Sequence, residues 1–397
     1  MTGRTIAVVT TSRADYGHLY WPLRELEKMP DIDLQLIVMG AHLSPEFGMT
    51  VSEIEKDGFK VSARIECLLS SDTDVGMAKT IGMATLSLAD ILGVMRPDLL
   101  LLIADRYEML APAATALALR IPIAHIEGGE VSEGAIDDAV RNALTKMSHI
   151  HFTPTEQARK RVLAMGEEAW RVHRSGAPSL DHLRRRQLIS KEALQAELGL
   201  DLDDPTVVVA YHPVTLDRQT TAESEAVFQA LSQLNKQIVF CFPNADAGSR
   251  ALIEKAESFC NRHPNAHLFV NLGHLKYWSL LRYSVLLVGN SSSGIMETPS
   301  LALPTVNIGK RQKGRERASN VLDASPEKGA ILDMMSQALD PIFRATLTGM
   351  TNPYGDGKAA KIIARVLAEV PLGEKLLIKR ATPLEPEYAM GEAGSLF

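Results

Sequence analysis

Short apolar runs alternate along this chain with stretches in which apolar positions recur every three or four residues. Residues 5–10 (TIAVVT), 34–39, 98–104 (DLLLLIA) and 149–152 are runs that read as strands. Residues 18–29, 75–96 and 111–119 carry helical spacing, the second stopped by Pro97. Runs that are apolar on both faces belong to a parallel sheet covered by helices on each side. Across 176–204 the texture changes: a Gly-Pro-marked turn, heavily charged helices, then the break DLDDP at 201–205. Beyond it the alternation repeats, with strands at 206–211, 237–242, 267–270, 285–288 and 305–308 and helices at 221–234, 248–261 and 276–283. The pattern predicts an α/β protein of two doubly wound parallel-sheet domains, 1–180 and 181–365, facing across a cleft. A Pro- and Glu-dotted tail, 366–397, is expected to be weakly ordered at its end.

Composition narrows the class. A length of 397 residues suits two domains, and 46% hydrophobic residues supply two cores. A net charge of −6 gives no electrostatic case for nucleic acid. Three widely spaced cysteines, Cys67, Cys241 and Cys260, form neither a disulfide framework nor a zinc knuckle. No leader-like start and no uninterrupted apolar stretch of about 18 residues is present. A soluble cytoplasmic protein is the expectation, with no membrane partner.

Candidate chemistry concentrates at 121–141, IPIAHIEGGEVSEGAIDDAVR. A buried strand empties there into a Gly-Gly loop and then a helix, delivering His125, Glu127, Asp137 and Asp138 to the sheet's carboxyl edge, where open α/β sheets bind ligands. Arg141 follows one turn after Asp137. Asp105 ends the apolar strand at 98–104. Arg13, in the polar loop 11–17, is either a surface arginine or a phosphate contact. GNSSSG (289–294) is either a Ser-capped turn or a backbone cradle for phosphate, with Ser291 and Ser292 in it, Glu297 placed for a ribose and Arg311 for phosphate charge. His212 and Asn244 end strands on the cleft side of the second domain. The chain lacks GxGxxG, a P-loop lysine, GxSxG, HExxH and clustered Cys/His, so neither a nicotinamide cofactor nor a metal is expected.

SRADYG, DRYEMLA, HIEGGEVSEGAIDDAVRNALTK, HPVT, GNSSSGIME and NIGKRQKGRERASNV together resemble the UDP-N-acetylglucosamine 2-epimerases, most closely their hydrolysing branch, over about residues 4–365. The resemblance implies a GT-B-like pair of Rossmann-type domains, no cofactor, a UDP-sugar substrate and a homo-oligomer (dimer or tetramer). It implies elimination of UDP to a 2-acetamidoglucal and hydration to free N-acetylmannosamine, or the same reaction on UDP-2,4-diacetamido-2,4,6-trideoxyglucose. Asp105, Glu127 and Asp137 would be the acid/base carboxylates, supported by His125, Asp138 and Arg141. Arg13, His212, Asn244, Ser291, Ser292, Glu297 and Arg311 would hold the nucleotide. Ala104 stands where the family commonly has Gly, His18 where relatives often have another residue, including Lys, and Ser293 where some carry Cys. A non-hydrolysing epimerase, a retaining glycosyltransferase and a silent nucleotide-sugar sensor are the competing readings.

Overall fold

The computed structural model describes residues 3–69, 73–132, 136–212, 223–242, 247–270 and 272–380. The first sheet contains β1 (Arg4–Thr10), β2 (Ile32–Met39), β3 (Val61–Ile65), β4 (Leu99–Ile103), β5 (Ile123–Ile126), β6 (Ile150–Thr153) and β7 (Val172–Arg174). The second contains β8 (Thr206–Ala210), β9 (Gln237–Phe242), β10 (Ala266–Val270), β11 (Leu286–Gly289), β12 (Thr305–Ile308) and β13 (Val321–Ala324). Their orders are β3-β2-β1-β4-β5-β6-β7 and β10-β9-β8-β11-β12-β13, with every pairing parallel. Both are doubly wound, as the alternation predicts. Each reverses strand order once, between β1 and β4 and between β8 and β11, and those reversals open the crevices where such sheets bind ligands. β4 (LLLLI) is buried along its whole length, as a strand covered on both faces must be.

The chain does not divide at 365. The helix Ala359–Glu369 buries Ala359, Ile363, Ala364 and Leu367 in the first domain's core, and Val370 and Leu376 join it. Arg4 reaches back to the carbonyl oxygens of Leu367 and Val370. Arg171, almost fully buried, donates to those of Lys375, Leu376 and Ile378. Residues 366–376 therefore pack on the first domain, to which the helix Ala359–Glu369 crosses back; the end of the tail lies outside the described residues. Its amphipathic stripe is legible in the sequence, but the choice of core is a tertiary matter.

Helix Asp74–Met95 is long and apolar enough to cross a membrane by length and composition alone, although interrupted by Lys79 and Asp90. One side, Gly76, Thr80, Ala84, Leu88 and Leu92, packs into the protein.

Candidate functional site

The carboxyl ends of β4 and β5 hold two non-glycine residues in the left-handed region, Ala104 at φ +57° and Glu127 at +68°. Such backbone costs on the order of 1 kcal/mol or more and persists where surrounding contacts determine it. Here the Ala104 N–H donates to Ile126 O and the Glu127 N–H to Phe152 O, at 2.9 and 2.8 Å. His125 is fully buried, with Nε2 2.8 Å from the Ala104 carbonyl oxygen. Burial pushes its imidazole down to about 4, so it is a neutral donor there. His125 has no exposed surface, and its bond is to the backbone of the residue before Asp105.

Helix Ile136–Met147 brings the remaining groups to this edge. Its Arg141, 2% exposed, pairs with Asp105 and lies 3.4 Å from Asp138 Oδ1, 3.0 Å from Ser132 Oγ and 3.1 Å from the Glu130 carbonyl oxygen. The arginine therefore bridges Asp105 and Asp138; Asp137, one turn away on the sequence pattern, is not among its partners. Burial pushes the Asp137 carboxyl up, and the charge of neighbouring Asp105 adds to this against Arg141, Arg106 and Arg311.

Glu127 pairs with the first helix of its own domain. Its Oε1 sits 2.7 Å from His18 Nδ1. Burial alone would push both groups toward neutrality. For Glu127, the charge and hydrogen bond of His18, with Arg315 and Arg141, outweigh burial and hold the carboxyl below its usual range. For His18, Glu127, then Glu297 and Asp15, raise the imidazole to about 9. Glu297 is buried, and its carboxyl is pushed up by burial and by Glu127's charge, against His18 and Arg315.

His18 opens onto a cleft of about 470 Å³ between the domains, lined by Arg13, His212, Ser291, Ser292, Glu297 and Arg311, with His274, Tyr277 and Trp278 on the second-domain wall. Arg13 is the first residue of helix Arg13–Glu27 and not part of a loop; Ser12 caps that helix by accepting from the Asp15 N–H. Its Nε lies 3.2 Å from Glu53 Oε2. The GNSSSG segment leads into one helical turn only, Ser293–Met296, so the helix dipole expected after it is that of a single turn. The carboxylates Asp105, Glu127, Asp137 and Asp138 do not line this cleft; of the four, Glu127 touches it through its pair with His18. Asn244 lies outside the described residues.

The sequence pattern does not single out Asn290. Fully buried, it accepts the His212 N–H at 2.7 Å and donates to the His212 carbonyl at 2.9 Å, tying together the loops after β8 and β11 at the strand-order reversal. Its own carbonyl accepts from Arg311 and Gln312, each at 2.9 Å. Its only sequence signal was its place inside GNSSSG. His212, pushed down to about 4 by burial and by Arg311, is neutral.

A model of the UDP-N-acetylglucosamine 2-epimerase family matches residues 24–368. The GDP/UDP-N,N'-diacetylbacillosamine 2-epimerase (hydrolyzing) of Campylobacter jejuni is 38% identical over 82% of this chain and 85% of its own. The UDP-N,N'-diacetylbacillosamine 2-epimerase (hydrolyzing) of Legionella pneumophila is 36% identical over 95% of this chain and 98% of its own. Among solved structures, a UDP-GlcNAc 2-epimerase from Neisseria meningitidis bound to UDP-GlcNAc superimposes with a TM-score of 0.79 at 19% identity, covering 91% of this chain and 99% of that one. That likeness establishes the GT-B-like fold.

Proposed function

Because the chain belongs to the UDP-N-acetylglucosamine 2-epimerase family, on its hydrolysing branch, we propose that it converts a UDP-2-acetamido sugar to UDP and the free 2-epimeric sugar. The observation that carries this reading is the division of the carboxylates at one sheet edge. Glu127 is kept ionised by His18, whereas Asp137 is pushed toward its protonated form. Two acids whose environments separate their proton affinities suit a base and an acid. In the elimination, a carboxylate takes the C2 proton, that C–H pair becomes the C1=C2 double bond, and the C1–O bond breaks with its electrons leaving on UDP. In the hydration, water oxygen bonds C1 and a proton is delivered to C2 from the opposite face. Charge on the departing diphosphate is met by Arg311 and by His18, the cation between Glu127 and Glu297. Asp105, fixed by Arg141, is the third carboxylate of the set.

For the sugar, the names of the two relatives favour UDP-N,N'-diacetylbacillosamine, that is UDP-2,4-diacetamido-2,4,6-trideoxyglucose, with free 2,4-diacetamido-2,4,6-trideoxymannose as product. UDP-N-acetylglucosamine, giving N-acetylmannosamine, is the second reading, favoured by the family match. Proton NMR of incubations with each UDP-sugar, and with the GDP-linked diacetamido sugar, tests the proposal. Free UDP and free 2-epimer are expected, fastest from the UDP-diacetamido substrate. A product still joined to UDP identifies a non-hydrolysing enzyme, and no conversion of any of the three refutes catalysis.

A further inference from the structure

Three hydroxyl groups stand in line on the second-domain wall of the cleft. Tyr277, on the helix His274–Tyr283, has its Oη 2.7 Å from Ser293 Oγ, and Ser293 Oγ lies 3.2 Å from Ser291 Oγ. The Ser293 N–H adds a longer donation to the same Ser291 oxygen, at 3.4 Å. All three residues line the cleft, and Ser293, between the other two, is buried. Ser291 belongs to the GNSSSG turn that leaves β11 at the strand-order reversal. The row therefore runs from a second-domain helix to the segment whose small residues suit a phosphate.

The row has a direction. A hydroxyl carries one hydrogen to give and two lone pairs to receive. Ser293 Oγ spends its hydrogen on Ser291, so its bond with Tyr277 is one in which the phenol donates. Burial pushes that phenol up, so its proton stays in place. Ser291 Oγ accepts from Ser293 twice and, among the described residues, gives its own hydrogen to no partner. That hydrogen is left for whatever occupies the cleft. Hydrogen bonds that run head to tail polarise one another, so each upstream donation makes the last hydroxyl a stronger donor. Such a donor gains most against the most highly charged acceptor. Breaking the C1–O bond adds a negative charge to the diphosphate, so the row favours departing UDP over the bound UDP-sugar.

We propose that Tyr277 is a positioning residue for the departure of UDP, acting through Ser293 to hold the Ser291 hydroxyl as a donor to a diphosphate oxygen; the assignment rests on the UDP-sugar reading of this cleft. Calorimetry with UDP and with uridine, beside steady-state turnover of the UDP-sugar, tests it on the full chain. Tyr277→Phe keeps the ring and removes only the hydroxyl. It should weaken UDP binding about three- to tenfold, the scale of one hydrogen bond, and leave uridine, which has no phosphate, within about twofold. Its kcat should fall by a similar factor while KM moves less. Ser293→Ala breaks the same row and should match it, and the pair together should cost no more than about twofold beyond either alone. In a Ser291→Ala background, Tyr277→Phe should cost nothing further. UDP affinity and kcat unchanged in both Tyr277→Phe and Ser293→Ala overturn the proposal. Equal weakening of UDP and uridine overturns it by assigning Tyr277 to the nucleoside's wall, and so does full additivity with Ser291→Ala. A wild type that binds no UDP overturns the nucleotide reading of the cleft, and the relay with it, before any variant is compared.

Discussion

At the scale of single residues, His18 is the group on which the site's electrostatics turn. Its imidazolium, raised from an ordinary 6.5 to about 9 beside Glu127, contributes stability that is complete below pH 6.5 and is lost as pH rises through 9. Urea unfolding followed from pH 6 to 10 should show that decline, and His18→Gln should flatten it. The same substitution should weaken UDP binding at neutral pH by removing a cation from the cleft. The carboxylates make a different prediction. Asp105→Asn, Glu127→Gln and Asp137→Asn should each lose about 10²–10⁴-fold in turnover while keeping UDP affinity in calorimetry. Arg311→Ala should do the reverse, losing about ten- to a hundredfold in UDP affinity, the scale of one charge-assisted hydrogen bond. Most of these side chains could be named from their strand-end positions alone. His125 could be named but not assigned its part, because only its complete burial and its bond to Ala104 show that it holds backbone. Asn290 could not be found, since an asparagine flanked by Gly and Ser reads as a turn.

At the scale of elements, the long apolar runs were legible because burial on both faces leaves an unbroken signature. The strands Val61–Ile65, Val172–Arg174 and Val321–Ala324 were not, being short, polar-interrupted and stabilised by neighbours at or near the sheet edges. Helix Arg13–Glu27 begins before the apolar spacing from residue 18 predicts, although Ser12 followed by Asp15 is a capping signal. The turn after β11 was placed correctly, and its glycine is specific. Gly289 sits at φ +147°, where a Cβ would collide with the Ala210 carbonyl oxygen. Gly289→Ala must therefore push β11 from β8 at the crevice itself. It should destabilise the protein by about 2 kcal/mol or more, read by urea unfolding, with a loss of UDP affinity alongside.

At the scale of the whole molecule, the two domains are held together by contacts between residues far apart in sequence, and these no local pattern announces. Glu130, 5% exposed, receives the Tyr354 hydroxyl at 3.2 Å and faces Arg315 of the second domain at 3.8 Å. Arg161 donates both to Gly129 O and to Gly314 O, at 3.2 Å each, bridging the same seam. Removing a partner from a buried charge costs more than removing the pair. Arg315→Ala should thus destabilise by about 3 kcal/mol, and adding Glu130→Gln should recover part of it, a coupling that a double-mutant cycle measures.

The proposed reaction removes the C2 proton of a UDP-sugar and replaces it from solvent. The direct measurement is turnover in deuterium oxide, with the released sugar examined by proton NMR and mass spectrometry. One deuterium at C2 of the free 2-epimer is the predicted result. A free 2-epimer carrying only protium at C2 contradicts elimination through C2 deprotonation and, with it, the roles given to Asp105, Glu127 and Asp137.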